Sequence, residues 1–161
     1  MRITVAAIGR LKDGPERDLY RRYADRYAAH GRALGLAAFH LVELPESRAQ
    51  RQRDRQRDET QRLLAAIAPD ATRYFLTEAG RQMTSDAFAK KLGRLRDDGV
   101  GSVAFLIGGP DGHDPDMLDA HRQTLLSLGQ MTFPHGLARV MIAEQLYRAV
   151  TILAGHPYHR A

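Results

Sequence analysis

Cysteine is absent from this chain. That removes disulfides and thiolate metal sites and makes a reducing compartment the natural setting. Long apolar runs are absent too: the N-terminal stretch MRITVAAIGRLKDG holds an apolar run of only about six residues before charge resumes, too short for a signal peptide or a membrane span. A cytoplasmic protein is expected. There is no GxxxxGK[ST] phosphate loop and no GxGxxG after the first apolar run, which argues against a P-loop or dinucleotide enzyme. Nucleophilic catalysis would have to rest on Ser or Thr, yet no GxSxG elbow is present. His156 and His159 stand three apart with His135 upstream, but no HExxH or carboxylate cluster surrounds them. No metal is expected.

What is present is an ordinary globular composition. The 161 residues (18.0 kDa) are 43% hydrophobic and 27% charged, with no repeat or low-complexity linker dividing them, so a single domain over 1–161 with a sizeable core is expected. The net charge is +5 and the sequence pI about 9.9. Lys12, Lys90 and Lys91 are the only lysines, so the surplus is carried by arginine. A polyanionic partner would account for it through counterion release; so would an arginine-biased composition.

Apolar periodicity divides the chain into alternating strands and helices. Ile3–Ile8 is a β-prone run ending at Gly9. Asp13-Gly14-Pro15-Glu16 opens a helix that His30-Gly31 closes, with Leu19, Tyr20, Tyr23, Tyr27 and Ala28 on its apolar side. Three tyrosines beside four arginines in 17–27 suit RNA stacking; aromatics at helical spacing are more often core. Leu36–Leu44 is a second strand, stopped by Pro45. Ser47–Arg62 holds six arginines. Pairs Arg51/Asp54, Arg55/Glu59 and Asp58/Arg62 at helical spacing suggest a solvated helix, each pair worth only ~0.2–0.5 kcal/mol, and the same arginines could touch nucleic acid. Thr72–Thr77 is a third strand. Thr84 or Ser85 caps a helix running to Asp98, Ser102–Ile107 is a fourth strand, Asp114–His121 a short helix and Leu125–Leu128 a fifth strand. From Leu137 to about Ala154 the apolar positions recur at three-and-four spacing, and Gly155 with Pro157 ends that helix. The order implies α/β architecture: an open, mainly parallel sheet with flanking helices.

In such sheets ligands collect at the carboxyl ends of strands. Three loops qualify: 76–80 (LTEAG), 107–112 (IGGPDG) and 129–134 (GQMTFP). Glycine pairs let a ligand approach the backbone, although Pro-Asp-Gly is also an ordinary turn. Before the final Ala161 stand Tyr158-His159-Arg160, an aromatic, an imidazole and a guanidinium; a tail that only ends a domain rarely needs that chemistry, and a frayed terminus is the alternative.

Taken together, LIGGPDGH, SLGQMTFPHGLARVMIAEQLYRA and the terminal HPYHR resemble the ribosomal RNA large-subunit methyltransferase H family, which belongs to the SPOUT class. The resemblance spans residues 1–161; the first half matches mainly in layout, and its arginine-rich segment is a local peculiarity. It implies a deep trefoil knot in the C-terminal third, an exception to the rule that chains do not thread loops, and S-adenosylmethionine as cofactor. The binding positions it implies are Leu76, Thr77, Gly108, Gly109, Gly129, Gln130, Met131, Thr132, Phe133 and Pro134. Backbone groups there would hold the adenine, and Leu76, Met131 and Phe133 would line its faces.

The resemblance further implies a homodimer whose site lies at the subunit boundary, with the apolar face of helix 137–154 as a dimer surface unless the core consumes it. The substrate implied is a pseudouridine in helix 69 of 23S rRNA, methylated at N3 in the assembled ribosome. An N3–H imide becomes a nucleophile only as its proton leaves, and a nearby cation stabilises the anion. Tyr158, His159 and Arg160 are the catalytic candidates: Tyr158 to stack on the base, His159 to position it or take its proton, Arg160 to stabilise the anion or bind a phosphate. Arg139 and Arg148 rank lower, with a helix-surface or interface role as their alternative. A non-catalytic ribosome-binding protein or a small-molecule methyltransferase are the competing functions. Cofactor titration separates the first from this reading, and independence from ribosomes the second.

Overall fold

The first strand, β1 (Arg2–Ile8), has six consecutive buried residues, the pattern of a strand covered on both faces. Its side chains divide between two cores with a period of two: Ile3, Val5 and Ala7 enter one apolar cluster, Ala6 and Ile8 the other. In the computed structural model, which describes residues 1–37 and 39–158, β1 lies inside a five-stranded parallel sheet of order β2-β1-β4-β3-β5. The other strands are β2 (Phe39–Leu44), β3 (Thr72–Arg81), β4 (Ser102–Ile107) and β5 (Leu125–Leu126). All six residues of β4 are buried, and Val103 to Ile107 alternate between the same two clusters. Helices α1 (Pro15–Gly31), α3 (Ser85–Asp97) and α5 (His135–Leu153) fill one face; α2 (Gln52–Ala65) and the short α4 (Pro115–Ala120) cover the other. None of these helices is long and apolar enough to cross a membrane.

Several boundaries depart from the sequence reading for identifiable reasons. The second strand starts at Phe39 rather than Leu36, because a 3₁₀ turn (Arg32–Leu34) and Gly35, at φ +70°, reverse the chain after α1. The arginine-rich helix starts at Gln52. Residues before it are tied to it instead: the Ser47 N–H donates to Glu59, and Arg55 donates to the carbonyls of Ala49 and Gln50. The third strand runs on to Arg81, since both Leu76 and Arg81 register against Leu126 with the chain looping out between them. Gly80 makes this possible, because a Cβ there would lie 2.6 Å from the Leu126 nitrogen. The fifth strand is correspondingly only two residues long.

Tyr20 and Tyr27 are buried edge-on against Phe39, with centroids 5.6 and 5.1 Å away. Those two tyrosines are core and offer no stacking platform. Much of the apolar face of α5 is likewise taken up by packing between α1 and α3, while Leu137 at its start stays exposed. Of the ion pairs expected along α2, Arg62–Asp58 forms at 3.1 Å. Arg55 turns away from Glu59 to meet Asp111 at 2.7 Å, and no ion pair joins Arg51 to Asp54 among the described residues. The helix is not solvated all round, since Gln56, Glu59, Thr60 and Leu63 are buried.

Candidate functional site

β3 pairs with β4 as far as Leu76 and Ile107; beyond that register β3 loops out through Gly80, and the chain leaves β4 through Gly108 and Gly109. With the loop that follows β5, these enclose a cavity of about 440 Å³, within the range typical of small-molecule sites. Its walls are 76–78, 107–113 and residues from Leu128 to Phe133, closed by His135 and Ala138 of the first turns of α5. The glycines are sterically required. A Cβ on Gly108 would lie 2.8 Å from the Gly112 carbonyl carbon, and one on Gly109 would run into the Glu59 carboxylate. The Gly112 N–H donates to the Gly109 carbonyl at 2.9 Å, closing the turn, and the Thr132 hydroxyl donates to Glu78 across the cavity at 3.1 Å.

Eight of the ten anticipated binding residues stand on these walls: Leu76, Thr77, Gly108, Gly109, Gly129, Met131, Thr132 and Phe133. Met131, on the cavity rim, is 76% exposed. Gln130 and Pro134 belong to the same loop but do not reach the wall. Gln130 faces solvent, and Pro134 precedes α5, where its carbonyl accepts from Ala138.

Two histidines join the cavity that the loop-by-loop reading did not include. His135 opens α5, half-buried, between the cavity and a neighbouring hollow of about 280 Å³. Burial, then the Arg139 charge, hold its pKa below the usual histidine value, with Glu46 and the Gly108 backbone opposing. His113 is 5% exposed and edge-on to Phe75. Its Nε2–H donates to the Leu106 carbonyl at 3.2 Å, and burial pushes its pKa down to about 4. The signals were in plain view, as the last letter of GGPDGH and of TFPH.

Arg139 is no surface or interface residue. It is 2% exposed, donating to the carbonyls of Ile8 (2.6 Å) and Gly9 (3.1 Å) and to Glu43 (2.9 Å). It thereby ties the start of α5 to the carboxyl ends of β1 and β2 beside the second hollow, which Arg10 and Lys12 also line. Arg148 pairs with Glu144 at 2.6 Å and lies over the Tyr158 ring.

Tyr158 is not on the cavity wall. Its hydroxyl donates to Glu144 at 3.1 Å, and its ring packs on Tyr147 at 4.6 Å. Burial and Glu144 push its pKa up to about 12. Glu144 follows His135 by nine residues, or ~13 Å along a helix rising 1.5 Å per residue. His159 and Arg160, the other two catalytic candidates, lie outside the described residues. No three metal-capable side chains cluster among the described residues.

A family model described as predicted SPOUT methyltransferase matches residues 1–159. The chain is 50% identical to a protein of Brucella anthropi and 52% identical to one of Rhizobium meliloti, over 161 residues and the full length of both chains in each case. It is 51% identical to a Rhizobium etli protein over 160 residues, 99% of each chain. All three relatives carry the name ribosomal RNA large subunit methyltransferase H.

Proposed function

The chain belongs to the SPOUT methyltransferases and, among them, to the ribosomal RNA large subunit methyltransferase H family, and from that premise we propose that it methylates N3 of a pseudouridine in helix 69 of 23S rRNA, on the assembled ribosome, with S-adenosylmethionine as donor. The observation that carries this reading is the cavity where the loop-out of β3 and the loops after β4 and β5 converge. Its residues suit the donor. Gly108 and Gly109 leave backbone groups open to a flat base, Leu76, Leu128, Met131 and Phe133 offer apolar faces, and Glu78 and Asp111 bring carboxylates to a ligand bearing a sulfonium and an ammonium. The donor, when bound, supplies an already activated methyl group, so alignment with the acceptor does much of the catalytic work. The knotted threading implied by the family resemblance belongs to this proposal.

The acceptor base enters beside His135, through the hollow shared by Arg10, Lys12 and the first turn of α5. Burial, then the Arg139 charge, hold the His135 pKa below the usual histidine value, which suits the imidazole to accepting the imide proton, while Arg10 and Lys12 favour the phosphodiester chain. Tyr158 rests against Glu144 and away from its own chain's cavity, which favours a homodimer in which the tail Tyr158-His159-Arg160 serves the cavity of the second copy. There, once the Tyr158 ring has left Tyr147 and Arg148, it stacks on the base and the tail stabilises the anion.

The test is methyl transfer from labelled S-adenosylmethionine to ribosomes lacking their own modification, followed by mapping of the labelled base. Label at N3 of the helix 69 pseudouridine is the expected result. Tight donor binding without transfer would refute the acceptor assignment, and transfer to small acceptors without ribosomes would favour a small-molecule enzyme. Deleting Tyr158 to Ala161 is expected to abolish transfer; unchanged turnover would refute the catalytic role of the tail.

A further inference from the structure

The arginine-rich helix α2 contributes no residue to the cavity, yet its inner side grips the cavity's wall. Arg55 Nε donates to Asp111 Oδ2 at 2.7 Å, and Gln56 Nε2 donates to the Asp111 carbonyl at 2.7 Å. One turn on, the Thr60 hydroxyl accepts the Asp114 N–H at 2.9 Å. The buried Glu59 carboxylate lies directly behind Gly109, and Arg53 meets Asp116 at 2.8 Å. The segment so held, Gly108–Asp114, contains Gly108, Gly109 and Gly112. Such a segment has much freedom to lose, and whatever fixes it in advance lowers the cost of binding a ligand against it.

The guanidinium at position 55 is suited to this task. Its Nε meets Asp111 while its NH1 serves the carbonyls of Ala49 and Gln50, which joins three segments through one rigid fork that a lysine could not reproduce. Asp111 is held below the usual carboxylate range by this contact, so it stays charged on the cavity wall.

We propose that α2 braces the donor-binding wall, and that Arg55 and Gln56, acting through Asp111, are positioning residues that set methyl-donor affinity without touching the donor. This rests on the reading that the 440 Å³ cavity holds S-adenosylmethionine. It also gives the arginine-rich segment a role other than gripping RNA.

The experiment measures S-adenosylhomocysteine binding by calorimetry, with KM for donor and for ribosomes, in R55Q, R55K, Q56L, D111N and the double variant R55Q/D111N. The affinity of R55Q and Q56L for S-adenosylhomocysteine is expected to fall about tenfold, the scale of a lost charge-assisted or buried hydrogen bond. The donor KM should rise in step while the ribosome KM and its salt dependence stay as in the wild type. R55K should recover only part of the loss, and R55Q/D111N should be no worse than the more damaged single variant. Wild-type affinity in both R55Q and Q56L would overturn the proposal. So would an R55Q variant whose ribosome KM alone rises and whose salt slope falls by about one, the mark of a lost phosphate contact. A joint rise of both KM values alongside a lowered melting temperature would reduce α2 to a structural element and overturn it too. If the wild type itself failed to bind S-adenosylhomocysteine, the reading of the cavity would fall first.

Discussion

Replacing Arg139 by methionine isolates the contribution of a buried charge to this fold. The guanidinium is 2% exposed and donates to two main-chain carbonyls and to Glu43, itself 16% exposed. Methionine keeps most of the apolar stem but leaves the Ile8 and Gly9 carbonyls and one carboxylate oxygen without this donor. Breaking a buried ion pair from one side costs about 3–5 kcal/mol. Here the lower end applies, because Glu43 keeps the Leu11 N–H at 2.6 Å and has Arg17 3.8 Å away. Arg139 also carries an unpartnered buried Nε, whose removal offsets part of the loss. The expected cost is about 3 kcal/mol, which for a chain of this length lowers Tm by roughly 6–12 °C.

Urea unfolding and thermal melts at one fixed protomer concentration measure it, since association would otherwise shift the midpoint. E43Q/R139M should be less destabilised than the sum of its single variants, because removing both partners leaves no stranded charge. An R139M protein melting within about 2 °C of the wild type, or additive single variants, would refute the view that this pair ties α5 to the sheet.

Three further outcomes are expected. Gly109→Ala drives a Cβ into Glu59 and to 3.1 Å from Ile8 Cγ2, and calorimetry should show S-adenosylhomocysteine affinity reduced by at least about tenfold as the wall shifts. The His113 imidazole titrates at about 4 when folded against 6.5 in the open chain, so its contribution is complete above pH 6.5 and lost as pH falls toward 4. That amounts to about 3 kcal/mol, and urea titrations at several pH values should show a flatter acid limb for H113L. Gly80→Ala places a Cβ 2.8 Å from the Ser127 nitrogen; Ser127, which donates to the Arg81 carbonyl, should then lose amide-exchange protection before the rest of the sheet.

What could be read from the sequence was whatever local spacing encodes. Ser102–Ile107 appears with the bounds its apolar run suggested, and the glycine pair following it lies on the cavity wall. The failures share one cause: partners distant in sequence. Spacing along α2 offers Glu59 to Arg55, whereas the chosen partner, Asp111, is 56 residues away. The extension of β3 depends on Leu126. Arg139 looks like a surface residue on any helical projection until the carbonyls of Ile8 and Gly9, 131 and 130 residues earlier, are brought beneath it. His135 occupies the first position of a helix, where a polar residue needs no special explanation.

The strand order has a consequence for how the chain is made. β1 leaves the ribosome well before its neighbour β4, which begins 100 residues later, with Arg2 registering against Ser102. At ~5–20 residues per second, that interval is about 5–20 s. Throughout it, one flank of an almost wholly apolar strand has no mate, and α5, which seals the face above it, arrives after α1 to α4. Nascent chains stalled between β3 and β4 should therefore present β1 as a site for chaperone capture, and protection of β1 should appear only once β4 has emerged.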